Sequence, residues 1–107
     1  MKDVPRFALL FDFYGPLLTE RQQELMRAYY LEDLSLGEIA DADGVSRQAV
    51  HELIRRSEAA LVEYEARLGF VAEHQRRMQL LTELEAALDR ADLAAARRTL
   101  AALKAEA

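Results

Sequence analysis

The sequence contains no cysteine and no tryptophan, and only two prolines and four glycines among 107 residues. Each scarcity excludes something. Without cysteine there can be no disulfide and no thiolate zinc site, which fits a reducing compartment. Pro5, Gly15, Pro16, Gly37, Gly44 and Gly69 are the only strong breakers, so long helical runs are left intact. No apolar run is long enough to span a bilayer, and "MKDVPRFALLFDFYG" is too broken by Asp12 and its aromatics to act as a secretory signal. The expectation is a cytoplasmic protein that does not insert into membranes.

Chemistry-bearing clusters are equally scarce. The two histidines, His51 and His74, lie far apart without neighbouring ligands, so no metal site is expected. "DADG" at 41–44 opens like a calcium loop, but Val45 and Ser46 occupy positions that need a ligand and a glycine. There is no glycine-rich phosphate loop, and no nucleophile stands beside a base. The chain is expected to be neither an enzyme nor a cofactor carrier.

What is abundant is Ala, Leu, Glu and Arg, good helix formers that predict an all-α fold. "PRFALLFDFY" places Phe7, Leu10, Phe11 and Tyr14 at helical spacing, so a helix over 5–14 should stop before Gly15-Pro16. Thr19 with Gln22 makes a capping box for a helix over 20–31, and Leu18 can staple against its first turn. Leu25, Met26, Tyr29 and Tyr30 share its inner face. Ser35 with Glu38 repeats the device for a helix that turns Leu36, Ile39 and Ala40 inward and ends at Gly44. Ser46 caps a third helix that meets no breaker before Gly69. Beyond it, Val71, Met78, Leu81, Leu84 and Leu88, then Leu93, Ala96, Leu100 and Leu103, follow three-and-four spacing. They form either a hairpin broken at 89–92, with Asp92 as cap, or one continuous helix.

"GVSRQAVHELIRR" at 44–56 raises the functional question. On a wheel of about 100° per residue, Ala49, Val50, Leu53, Ile54 and Ser57 gather on one side. Gln48, His51, Glu52 and Arg55 gather on the other, with Arg47 and Arg56 at the flanks. Long side chains with forked donors on a rigid rod are what groove reading needs. With Ala40 allowing close approach, Gly44 turning the chain and Val45 plugging the corner, residues 36–55 fit a helix-turn-helix. The expected organisation is one domain over 1–107, with the helix-turn-helix core at 5–68. The helices of 70–107 would pack on the long third helix or on a second subunit. The stripe Ser57, Ala60, Leu61, Tyr64 and Leu68 continues past the motif, so a homodimer is expected as readily as intramolecular packing.

Charge complicates the reading. The formal net charge is −5, and residues 20–68 hold eleven acids against six arginines while the flanking segments balance. A strong binder of duplex DNA carries the opposite footprint. Either the motif touches nucleic acid through a few local contacts, or it is a scaffold for protein contact.

The run "LLTERQQELMRAYYLEDLSLGEIADADGVSRQAVHELIRR" resembles region 4 of bacterial sigma factors. Together, "LLFDFYGPLLTERQ", "YYLEDLSLGEIA", "VSRQAVHELIRRSE" and "YEARLG" resemble the YlxM family across about residues 7–80. That resemblance implies an all-helical, sigma region 4-like helix-turn-helix protein with a regulatory role in the signal recognition particle pathway. Its implied partners are the particle's GTPase, its small RNA, or both. By motif position, Ser46, Arg47, Gln48, His51, Arg55 and Arg56 are the candidate nucleic-acid contacts. Acidic Glu38, Asp41, Asp43 and Glu52 around them speak against duplex DNA.

Overall fold

A computed structural model describes residues 2–106. They form six helices: α1 (Val4–Tyr14), α2 (Glu20–Met26), α3 (Leu36–Asp43), α4 (Arg47–Leu68), α5 (Phe70–Asp89) and α6 (Leu93–Glu106). No strand occurs among the described residues, and none of their helices is long and apolar enough to cross a membrane. The chain divides into two compact units, one ending at Gly69 and the other beginning at Phe70.

In the first unit, local chemistry fixes each helix start. Asp3 accepts from the Arg6 N–H at 3.3 Å and Pro5 sits in the first turn of α1, where its missing N–H costs nothing. Both capping boxes form. Thr19 Oγ1 accepts from the Gln22 N–H at 3.1 Å while Gln22 Oε1 accepts from the Thr19 N–H at 3.0 Å. Ser35 and Glu38 exchange the same pair of bonds, each at 3.0 Å. That bond from the Ser35 backbone holds the Glu38 carboxyl below the usual carboxylate range. Gly44 and Gly69 end α3 and α4 in the left-handed conformation, at φ 67 and 65.

The helix expected over 20–31 changes character at Met26. Arg27–Leu31 winds as a π-helical turn, closed by the Glu32 N–H donating to the Arg27 carbonyl at 2.9 Å. Such wide turns tend to occur at functional sites. Here it presents Tyr29 and Tyr30 to α1 and α4. Tyr30 stacks on Phe7 at 5.4 Å between ring centroids, and its hydroxyl donates to the Glu58 carboxylate.

The core of this unit is apolar and aromatic. Tyr14, Leu25, Met26, Val50 and Leu61 are all but sealed from solvent, and Leu10, Leu18, Ile39, Ala40 and Ile54 join them. Full burial of such side chains contributes roughly 1.5–3 kcal/mol each. Apart from tyrosine hydroxyls, Ser57 is the one buried polar side chain among the described residues, at 0% exposure, and its Oγ donates to the Leu53 carbonyl at 2.8 Å. Its small size lets the neighbouring helices close on α4. Beyond the motif, α1 covers the apolar stripe of α4 as far as Tyr64: Tyr14 donates to Glu65 at 2.5 Å and Tyr64 donates to the Leu17 carbonyl at 3.3 Å.

Three inward assignments are corrected, the last of them Leu68, which ends the stripe on α4 and is 45% exposed beside the Gly69 turn. Val45 does not plug the corner; it is 44% exposed. Gly44 turns the chain so that the Val45 N–H reaches back to the Ala40 carbonyl at 3.1 Å, leaving the side chain outside the turn. Ala49 is exposed as well. The covered stripe of α4 centres on Val50, Ile54, Ser57 and Leu61, and Ala49 lies roughly 100° round the helix from it.

The second unit is a helical hairpin, the first of the two forms the spacing allowed. Without glycine or proline, the break is made by Ala91, held at φ 55. Asp92 then caps α6, accepting from the Ala95 N–H at 3.0 Å, and that bond lowers its pKa. Val71, Ala87 and Ala96 are buried, and an Arg76–Glu106 ion pair at 2.5 Å ties the two helices where the hairpin opens. Met78, Leu81, Leu88, Leu93 and Leu100 remain exposed along it.

Candidate nucleic-acid interface

The helix-turn-helix consists of α3, the Gly44 turn and the first turns of α4. Ile39 and Ala40 on one helix and Val50 and Ile54 on the other are buried, so their opposite faces are fixed by packing alone. The exposed face of α4 begins at its cap. Ser46 Oγ accepts from the Ala49 N–H at 3.0 Å, so this candidate contact residue is occupied in holding the helix start.

The remaining candidates fall into three groups. Gln48, His51 and Arg55 are exposed and stand three and four residues apart, in one row. Arg56 lies at the far flank, within 3.8 Å of Glu52 one turn earlier, which offsets part of its charge. Arg47 leans back across α3. A Cβ built at Gly37 would lie 2.7 Å from an Arg47 Nη and 3.0 Å from its Nε, so the guanidinium rests on the bare backbone of Gly37. The glycine is therefore a seat for the arginine, a role the sequence pattern alone did not reveal.

The surrounding acids are partly engaged. Asp43 pairs with Arg21 at 2.6 Å, a bond that raises the arginine pKa. Glu38 is occupied in its capping box. Asp41 and Glu52 stay exposed near the row. The net positive character of the face is slight, and any ligand held there must be recognised through placed hydrogen bonds more than through bulk attraction.

Beside the row opens a cleft of about 410 Å³ that the sequence reading missed entirely. His51, Arg55 and Glu58 of α4 form one wall, Tyr29 and Tyr30 of the π-helical turn another, and Lys2, Asp3 and Phe7 the edge. Lys2 Nζ sits 3.9 Å above the Tyr29 ring and donates to the Tyr29 carbonyl at 2.7 Å. Tyr29 and Tyr30 meet edge to face at 5.0 Å. Burial and the bond to Glu58 push the Tyr30 hydroxyl well above the ordinary tyrosine pKa, so it remains a donor. A wheel of α4 shows Glu58 on the same side as His51 and Arg55. Nothing in a wheel shows that two tyrosines from another helix complete the wall.

Comparison with known proteins agrees with this architecture. The model of the UPF0122 family, described as "Putative helix-turn-helix protein, YlxM / p13 like", matches residues 1–99. A UPF0122 protein of Symbiobacterium thermophilum is 86% identical over 107 residues, covering 100% of both chains. One from Halalkalibacterium halodurans is 51% identical over 85 residues, 79% of this chain and 78% of its own. One from Listeria monocytogenes is 51% identical over 83 residues, 78% of this chain and 76% of its own. With a helix-turn-helix built from α3 and α4, a family model matched over residues 1–99 and one relative matched along the whole length, this chain belongs to the UPF0122 family of YlxM-like helix-turn-helix proteins.

Proposed function

We propose that this chain is a regulatory, non-catalytic protein of the cytoplasm that acts by contacting nucleic acid through the exposed face of α4. The observation that carries the reading is the row Gln48, His51 and Arg55, exposed on a helix whose opposite face is locked into the core. Arg47, seated on Gly37, and Arg56 flank the row, and Ser46 holds its start. The YlxM resemblance supplies the biological setting, the signal recognition particle pathway, with the particle's RNA as the ligand.

RNA suits this surface better than duplex DNA. The −5 net charge and the exposed Asp41 and Glu52 oppose the many phosphate contacts that duplex binding requires, roughly 6–10 for a tight complex. RNA recognition leans on shape, single-stranded segments and stacking. A homodimer through the exposed leucines of the α5–α6 hairpin would double the arginines available.

Fluorescence anisotropy tests this. The full chain is titrated into a labelled signal recognition particle RNA hairpin and into a duplex DNA of similar length, at low and physiological salt. The expected result is salt-sensitive preference for the RNA, weakened in Arg47→Ala and in Arg55→Ala. No binding to either ligand at physiological salt overturns the reading. It would move attention to the targeting GTPase, for which the acidic surface of residues 20–68 offers a complement to a basic partner.

A further inference from the structure

The cleft beside α4 is lined unlike a packing defect. Its walls carry two tyrosines and a phenylalanine, its rim sets Lys2, His51 and Arg55 beside Asp3, and the Glu58 carboxylate stands inside it. At about 410 Å³ it falls in the range that holds small planar ligands. We propose that it receives one unstacked guanine of a bound RNA, with the base against Tyr29 and its Watson–Crick edge donating to Glu58. This rests on the reading of α4 as the RNA-contacting helix, because His51 and Arg55 belong both to the exposed row and to the cleft wall.

Three features select that ligand. First, the Tyr29 ring already attracts a cation: Lys2 Nζ lies 3.9 Å from its centroid. A base that takes the place of the ammonium on that ring stacks on the tyrosine, and the displaced Lys2, which otherwise bonds the Tyr29 carbonyl at 2.7 Å and pairs with Asp33 at 3.3 Å, can meet a phosphate. Second, Glu58 accepts from the Tyr30 hydroxyl through one oxygen, which fixes the carboxylate, and its other oxygen takes no bond from the described residues. Guanine offers two adjacent N–H donors to a carboxylate. Adenine offers an acceptor beside its amino group and meets repulsion there. Third, Arg55 and His51 lie next to the cleft where the flanking phosphates of an extruded nucleotide would run.

The base could belong to an RNA or to a free nucleotide, and the test separates them. Three otherwise identical hairpins are compared by anisotropy with the full chain: fully paired, with one bulged guanine, and with one bulged adenine. Guanosine monophosphate alone is titrated by tyrosine fluorescence, which no tryptophan obscures. The bulged-guanine hairpin is expected to bind about tenfold more tightly than the paired one. In Glu58→Gln the preference for guanine over adenine should vanish, with the paired hairpin measured on the same variant as the reference. In Tyr29→Leu the gain from either bulge should vanish.

Equal binding of all three hairpins, with Arg55→Ala still weakening each, overturns the cleft assignment and leaves the α4 reading standing. Tight guanosine monophosphate binding without a bulge effect overturns the RNA assignment in favour of a free nucleotide. If no hairpin binds, the α4 reading fails and this proposal fails with it; guanosine monophosphate binding that Glu58→Gln abolishes would then assign the cleft to a free nucleotide. Circular dichroism of each variant at matched temperature confirms that a lost preference is not a lost fold.

Discussion

The two units of this chain are both helical, yet they are held by different means. Up to Gly69, each helix begins at a side-chain cap, and tyrosine hydroxyls tie distant elements together, Tyr14 to Glu65 and Tyr30 to Glu58. From Phe70 onward, α5 and α6 carry alanines at buried positions and leave Met78, Leu81, Leu88, Leu93 and Leu100 exposed. Directional bonds and a sealed core specify one arrangement, and so they can present a row of side chains with fixed geometry. A hairpin closed mainly by small residues fixes its own two helices and leaves an apolar surface available to a partner. The proposed reading accordingly assigns recognition to the first unit and any association to the second.

Substitutions in matched pairs can break this contrast. The largest effect is expected in the core: Leu61→Ala, at a site with 0% exposure, should cost about 2–5 kcal/mol of unfolding free energy in urea titration. Leu93→Ala, at 64% exposure, should change it by less than about 0.5 kcal/mol while reducing any self-association seen by sedimentation. Comparable losses at both sites would refute the contrast.

Next come the caps. Thr19→Ala removes one bond of a capping box and should cost about 1 kcal/mol. At the hairpin break the opposite gain is available. Ala91 sits at φ 55, where a side chain is strained, so Ala91→Gly should stabilise the second unit by about 0.5–1 kcal/mol. A loss on that substitution would mean that the left-handed turn is not the resting form of residues 89–92.

The pH dependence should also differ between acid and alkali. Glu38 and Asp92 have lowered pKa values in the folded chain, each through a bond from a backbone N–H. Their contribution is present above the usual carboxylate range of about 4 and is lost as pH falls through their folded values. Tyr30 has a raised pKa, through burial first and Glu58 second. Its contribution is complete below pH of about 10 and declines as pH rises beyond that. Melting temperature against pH should thus fall at both ends, and Tyr30→Phe should flatten the alkaline arm only.

The smallest effect on stability carries a larger effect on function. Gly37→Ala favours the helix intrinsically, and its new methyl meets only the end of the Arg47 side chain, so the melting temperature should hold or rise slightly. The guanidinium must leave its seat. RNA affinity should therefore fall, by less than in Arg47→Ala, with no loss of fold.

How much of this was legible beforehand follows the range of each interaction. Thr19, Ser35, Ser46 and Gly44 act within four residues, and the sequence places each of their turns correctly; Asp92 is legible as a cap, but the choice between a hairpin and one continuous helix stays open without the structure. Val50, Ile54, Ser57 and Leu61 were legible as a buried line because helical periodicity is a local property. The π-helical turn was not, because a bond from Glu32 to Arg27 depends on what Tyr29 and Tyr30 find across the fold. Nor was the seat of Arg47 on Gly37, which lies on a different helix. Val45 misled for the same reason: an apolar residue after a left-handed glycine looks like a plug until the direction of the turn is known. For the candidate site, the row on α4 was readable and the cleft beside it was not.

The central claim is that the exposed face of α4 is where this chain meets RNA. Backbone amide shifts of the isotopically labelled chain, followed during titration with the signal recognition particle RNA hairpin, test it most directly. The account predicts perturbations concentrated at residues 46–56 and at the cleft residues Phe7, Tyr29 and Glu58. Perturbations confined to α5 and α6, or none at saturating RNA, would contradict it.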